Sequence, residues 1–408
     1  MQCGLLGRKH GHSYSPQIHN ILGDYDYCLF ETEPEKLSDF LCSNDFTGLN
    51  VTIPYKKAVI PYCDELSDTA KRLGAVNTLV RRNGKLIGHN SDYFGFQSMI
   101  ERSGVSVNDK KALVLGSGGA SATAVAVLEE LGANVIVISR SGINNYLNLD
   151  LHSDAAIIVN ATPVGMYPNT DQSPINLSIF PNLECVLDLI YNPSSTRLLQ
   201  QAQARGLKNQ NGLWMLVAQA KESAEWFLDS PIPDSKITEI FIKIRSHMEN
   251  IVLIGMPGCG KTTIGKMLAQ QLGRPFWDAD EVLVARFGTT IPEIFASNGE
   301  DVFRNMETMV LSDLGKTSGS VISTGGGCVT RAENYPILHQ NSKTIWIQRD
   351  IDNLATSGRP LSQANNLSQM YQTRKPLYES FCDYAVNNDG APEDTVKHIL
   401  RYLQGGSE

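Results

Sequence analysis

Short apolar runs alternate with stretches whose apolar positions recur every three or four residues along most of the chain. Ala112 to Leu115, Val135 to Ser139, Ala156 to Asn160, Val186 to Ile190, Ile251 to Ile254, Val321 to Ser323 and Thr344 to Ile347 read as strands, each ahead of a turn or a helix. Such runs alternating with amphipathic helices predict α/β architecture with largely parallel sheets. Two of the strands run into glycine-rich loops, at Gly116 and at Gly255, and one compact domain rarely needs both. Two nucleotide sites are expected, with the main boundary in the polar stretch 242–250.

The first loop, Ala112-Leu-Val-Leu-Gly-Ser-Gly-Gly-Ala-Ser121, ends a strand and opens a helix. Glycines at 116, 118 and 119 let the backbone approach a pyrophosphate, while the helix N-terminus offers unpaired N–H groups. Ser121 stands where the third glycine of a dinucleotide fingerprint is usual, and glycine strings of this kind also occur in structural turns. After the next strand comes Arg140, where an NAD enzyme carries an acidic ribose ligand. An arginine there suits a 2′-phosphate, hence NADP, and otherwise is a solvated loop cation. The second loop is a complete Gly-x-x-x-x-Gly-Lys-Thr, with Gly258, Cys259 and Gly260 cradling phosphates, Lys261 reaching them and Thr262 ligating Mg²⁺.

With 408 residues, 42% of them hydrophobic, the chain has material for two or three globular units. A formal charge of -8 with interleaved signs argues against nucleic-acid or anionic-membrane partners. The expected home is the cytosol, since neither a signal-peptide pattern nor a ~20-residue apolar span is visible. The eight cysteines follow no paired spacing, which suits reduced thiols, and Cys259 and Cys328 read as small loop residues rather than reactive ones. His10, His12 and His19 invite a metal reading, but no carboxylate completes a site at nearby spacing.

Upstream of the first glycine loop lie Gly11-His-Ser-Tyr-Ser-Pro16, Asn50-Val-Thr-Ile-Pro-Tyr-Lys56, Gly74-Ala-Val-Asn-Thr78 and Gly88-His-Asn-Ser-Asp-Tyr-Phe-Gly95. Small hydroxyl, amide and charged groups at strand ends suit a polyhydroxylated ligand. Singly they are ordinary turn residues, and Ser15-Pro16 reads equally well as an N-cap followed by proline at the first helical position. In this order, with the glycine loop, Asn160 to Met166, Asp188 to Pro193 and Gly212 to Gln219, they resemble the shikimate dehydrogenase family over residues 1–245. The resemblance implies reduction of 3-dehydroshikimate with NADPH, Lys56 and Asp92 as the catalytic pair, and Ser13, Ser15, Thr52, Asn77, Tyr191 and Gln219 at shikimate. It places Ser117, Ala120, Asp68, Leu189 and Gly212 with the glycine loop at the cofactor.

Beyond the second loop, Phe276 to Asp280, Phe303 to Glu307, Ser323 to Gly327, Ser357 to Leu361 and Arg374 to Tyr378 together resemble the shikimate kinase family over 249–408. That resemblance implies ATP-dependent phosphorylation of shikimate. Asp280 would meet the substrate hydroxyl and Asp278 would lie near Mg²⁺. Arg304 and Arg374 would clamp the carboxylate, Gly325, Gly326 and Gly327 would pack on the ring, and Arg359 would close over the phosphates. The expected domains are a dehydrogenase substrate domain, 1–95 with 212–247, a Rossmann NADP domain, 96–211, and a P-loop kinase domain resembling nucleoside-monophosphate kinases, 249–408. Two other readings stay open, a quinate preference in the first half and a nucleotide-sensing regulator without chemistry. Oligomeric state is undetermined.

Overall fold

A computed structural model describes residues 2–10, 13–43, 46–354 and 364–405. The chain forms two compact units, 1–191 with 196–245, and 246–408 with 192–195.

The first unit holds two sheets. Strands β1 (Gln2–Gly7), β2 (Asp26–Glu31), β3 (Gly48–Val51), β4 (Glu65–Leu66), β5 (Thr78–Arg82) and β6 (Lys85–His89) form a mixed sheet in the order β2-β1-β3-β5-β6-β4. Only the β3/β5 and β5/β6 pairs are antiparallel. Strands β7 (Lys111–Leu115), β8 (Asn134–Ile138), β9 (Ile157–Asn160), β10 (Cys185–Asp188) and β11 (Lys208–Gln210) form a wholly parallel sheet in the order β11-β10-β9-β7-β8. Residues 112–115 and 157–159 are fully buried, as strands covered on both faces must be. Order reverses beside β7, and a crevice at strand ends near such a reversal is where α/β sheets bind ligands.

In the second unit β12 (Asn250–Ile254), β13 (Phe276–Asp278), β14 (Val321–Ser323), β15 (Ser342–Gln348) and β16 (Tyr384–Asn387) build a parallel sheet in the order β13-β14-β12-β15-β16. Among the described residues no helix is long and apolar enough to cross a membrane.

The division between the units, at 245/246, lies within the stretch 242–250, and no break in structure marks it. Helix Ser235–Met248 runs through it and β12 begins at Asn250. Ile237, Ile240, Phe241, Ile244 and Met248 recur at helical spacing and are buried, so the polar residues between them are the outer face of a packed helix. Ser15 opens the first turn of helix Ser15–Leu22 instead of capping it; Tyr14 holds the cap position, and its side chain does not cap the helix.

Candidate active sites

In the first unit β3 delivers its last residues to a turn anchored by the buried Tyr55 ring. Thr52 N–H donates to Leu6 O at 2.9 Å, and Lys56 O accepts from Val76 N–H at 2.7 Å, which fixes the lysine's backbone against the 74–77 segment. Its ammonium meets Asp92 Oδ2 at 2.5 Å. Asp92 opens helix Asp92–Ser103, where a carboxylate suits the helix N-terminus, and both side chains remain partly open to solvent.

Beneath this pair lies a buried polar floor. Asn77 Oδ1 accepts from Ser91 N–H at 2.8 Å, and Asn77 Nδ2 donates to Ser91 Oγ at 3.1 Å. Ser91 Oγ in turn donates to Gln219 Oε1 at 3.3 Å and lies 2.8 Å from Ser223 Oγ. Asn50 Nδ2 donates to the same Ser223, and Tyr27 OH to Asn50 Oδ1, both at 2.8 Å. Asn77 thus holds Ser91, the residue before Asp92, and Gln219 joins the same cluster through the Ser91 hydroxyl. Ser91, Ser223 and Asn50 were not singled out from the sequence as site residues, since one side chain per element gives no periodicity to detect.

Ser13, Ser15 and Tyr191 form a second group. Ser15 N–H donates to Ser13 Oγ at 3.3 Å, and the Tyr191 ring meets Tyr14 edge-on at 6.3 Å. His19 belongs to the core: its ring stacks on Tyr27 at 4.0 Å, and burial pulls its pKa down to about 3.

At the parallel sheet β7 ends in Gly116, whose φ of 108° and contact with Ala161 O, 3.1 Å from where a Cβ would stand, require glycine. Ser117, Gly118, Gly119 and Ala120 follow, exposed at the start of helix Gly119–Glu130. Ser121 is buried, and its hydroxyl donates to Gly116 O at 2.7 Å, so the residue replacing the third glycine closes the turn. Gly116 N–H donates to Ile138 O at 2.8 Å, and exposed Arg140 lies two residues past that anchor. Asp68 faces solvent and pairs with Lys71 at 3.6 Å. From the same helix Arg72 donates to Ala126 O at 3.1 Å and pairs with Glu130, docking Asp68–Leu73 on helix Gly119–Glu130.

The loop after β10 carries Leu189 and Tyr191. Gly212 N–H donates to Ile190 O at 3.0 Å, tying the loop to helix Leu213–Leu228. Asp188 anchors it by accepting from Thr196 Oγ1 at 2.6 Å, Asn160 Nδ2 at 3.0 Å and Ile190 N–H at 3.1 Å. Burial outweighs these bonds and pushes the carboxyl up to about 6. The native state then binds more protons than the unfolded chain between about pH 4 and 6, so stability falls as pH rises through that window, by on the order of 2–3 kcal/mol. Amide exchange of β9 and β10 at pH 4.5 and 7 is expected to show this loss in the wild type and a smaller one in Asp188→Asn. Equal loss in both would clear Asp188.

In the second unit one cavity of about 610 Å³ is lined both by the phosphate loop and by Asp278, Asp280, Arg304, Gly326 and Arg374. Gly258, Cys259 and Gly260 lead into helix Lys261–Leu272. Lys261 Nζ turns back onto Gly255 O at 2.8 Å and Met256 O at 3.0 Å. Thr262 Oγ1 donates to Asp278 Oδ2 at 2.7 Å, and Asp278 Oδ1 accepts from Asp280 N–H at 3.1 Å. The sequence suggested both aspartates at a strand end. Asp278 indeed ends β13, but it caps helix Ala279–Phe287, and Asp280 sits in that helix's first turn.

Arg304 is buried and pairs with Glu307 at 2.6 Å and Glu300 at 3.2 Å. Arg374 Nη1 donates to Gly326 O at 3.1 Å, and buried Tyr378 OH donates to the same carbonyl at 2.5 Å. A Cβ on Gly327 would stand 2.1 Å from Arg304 Nη2, so only glycine admits the guanidinium there. Glu307, missed from the sequence though three residues beyond Arg304 on one helix face, has Oε1 buried without a partner. Burial, and then Asp280's charge, push its carboxyl up against the pull of Arg304 and Arg374. Buried Cys328 is pushed up to about 12, as an inert thiol. Arg359 lies outside the described residues.

Comparison with known proteins matches residues 5–79 to the shikimate dehydrogenase substrate binding domain and 257–404 to shikimate kinase. A Clostridium beijerinckii shikimate dehydrogenase (NADP(+)) is 37% identical over 256 residues, 58% of this chain and 94% of that protein. The crystal structure of a chorismate mutase/shikimate 5-dehydrogenase fusion protein from Clostridium acetobutylicum superposes with a TM-score of 0.58 at 36% identity, covering 60% of this chain and 96% of that one. Shikimate 5-dehydrogenase from Thermus thermophilus, solved with NADP(H) and shikimate, gives 0.55 at 32% identity, covering 60% and 99%. The chain belongs to the shikimate dehydrogenase family through its first unit and carries a shikimate kinase domain in its second.

Proposed function

We propose that the first unit reduces 3-dehydroshikimate to shikimate with NADPH, and that the second transfers the γ-phosphoryl group of ATP to shikimate, giving shikimate 3-phosphate. The observation that supports this most is that each unit brings together groups suited to its own step, Lys56 with Asp92 in one and, around one cavity in the other, the phosphate loop, Asp280 and two buried arginines.

The exposed backbone at 117–120, opening a helix, fits a pyrophosphate, and Arg140 fits a 2′-phosphate. A bound nicotinamide would supply the hydride. Lys56 then donates a proton to the oxygen that gains charge, while Asp92 keeps the ammonium aimed. Ser13, Ser15, Thr52, Tyr191 and Gln219 are assigned to hydroxyl and carboxylate recognition.

In the kinase half the Thr262 hydroxyl and Asp278 carboxylate are hard oxygen donors that suit Mg²⁺, which would neutralise phosphate charge when bound. Lys261, held on loop carbonyls, exchanges them for phosphate oxygens. Asp280 takes the substrate hydroxyl's proton, and Arg304 with Arg374 fixes the carboxylate.

The purified chain should reduce NADP with shikimate and release ADP from ATP with shikimate. Shikimate should be preferred over quinate and NADP over NAD. Turnover with quinate alone, or NADP reduction without ADP release, would overturn the corresponding half of the assignment.

A further inference from the structure

Arg349 was not singled out from the sequence, yet it lines the kinase cavity together with Pro257, Gly258, Lys261 and Thr262. It is the first residue past β15, the parallel neighbour of the strand that feeds the phosphate loop, with Ile254 opposite Trp346. The two strand ends touch: a Cβ on Gly255 would stand 2.5 Å from Ile347 O. On the other side Gln348 O accepts from Asn388 N–H at 2.8 Å, and Asn388 Nδ2 donates to Cys259 O inside the loop at 2.8 Å. Arg349 therefore leaves the sheet at the level of the phosphate loop, on a backbone braced from both neighbouring strands.

Its side chain has no evident structural employment. Arg349 Nε is buried without a partner, and among the described residues the guanidinium makes no ion pair. Asp389 is the carboxylate that feels its charge, but Asp389 accepts instead from Asp350 N–H at 2.8 Å, Asn353 Nδ2 at 3.3 Å and Asn387 Nδ2 at 2.7 Å. A buried N–H donor without an acceptor is costly unless a ligand supplies one. A guanidinium in a cavity walled by a phosphate loop matches phosphate oxygens in charge and in its forked donor geometry.

We propose that Arg349 is a ligand of the nucleotide phosphates, acting beside Lys261 on the polyphosphate chain. The assignment rests on the phosphoryl-transfer reading of the second unit. In the full-length protein Arg349→Gln is expected to raise KM for ATP about tenfold and to weaken ADP and magnesium pyrophosphate to the same degree, the loss of one charge-assisted contact. KM for shikimate should stay within about twofold, and Arg349→Lys should recover part of the loss, since it restores charge without the fork.

Unchanged ADP and pyrophosphate affinity in Arg349→Gln, with a lowered melting temperature, would assign the residue to holding the β16 end and overturn the proposal. Weakened ADP with unchanged pyrophosphate would place it at the base and overturn it equally. A wild-type chain that transfers no phosphate to shikimate would sink the kinase reading, while the pyrophosphate titration would still decide Arg349.

Discussion

Lys56→Ala is expected to lower kcat for shikimate oxidation by about 10²–10⁴, the usual range for removing a positioned acid–base group. The ammonium is the cation that Asp92 holds at 2.5 Å, and no other Lys or Arg is paired with that carboxylate among the described residues. Removing it leaves the developing oxygen charge without its donor and leaves Asp92 partly buried without its counter-ion. KM for NADP should change little, because the glycine loop and Arg140 stand on different elements from Lys56. Asp92→Asn should cost less in kcat than Lys56→Ala, since an amide still accepts from the ammonium while losing its charge. ADP release by the kinase half should be unaffected in both variants. A Lys56→Ala protein that keeps more than about a tenth of the activity would remove the lysine from the proton-transfer step.

The parts of both sites that follow from local periodicity were legible in the residues. Runs such as Leu113–Leu115 and Val252–Ile254 are buried strands because apolar residues occupy both faces, and the loops at Gly116 and Gly255 begin where those strands end. What escaped depends on residues distant in sequence. Ser223 joins the buried polar floor from a helix 132 residues beyond Ser91. Arg349 reads as a charged residue after a strand until the strand order places it next to the phosphate loop. The position of Asp280 escaped for a local reason: Asp278 caps a helix that starts at once, so Asp280 belongs to that helix and not to the strand.

Asp280→Asn is expected to lower kinase kcat by about 10² while leaving ADP affinity unchanged. The magnitude follows from the reaction. In a loose phosphoryl-transfer transition state the attacking hydroxyl keeps most of its proton until late, so the base contributes less than positioning does. Asp280 is also placed to orient that hydroxyl: its backbone is fixed by the Asp278 cap, and a Cβ on Gly325 would stand 3.1 Å from Asp280 Oδ1 and 2.2 Å from Glu307 Oε1. Both carboxylates therefore converge on the glycine run that is assigned to the ring. Asparagine preserves the size and the hydrogen bond but relieves the repulsion toward Glu307, so the fold should be held or slightly stabilised. A fall in kcat with unchanged KM for shikimate would mark Asp280 as a base acting in the transition state. A parallel rise in KM would mark it as an orienting group as well. Retention of most of the activity would leave neither role, and the proton would then have to leave by another route.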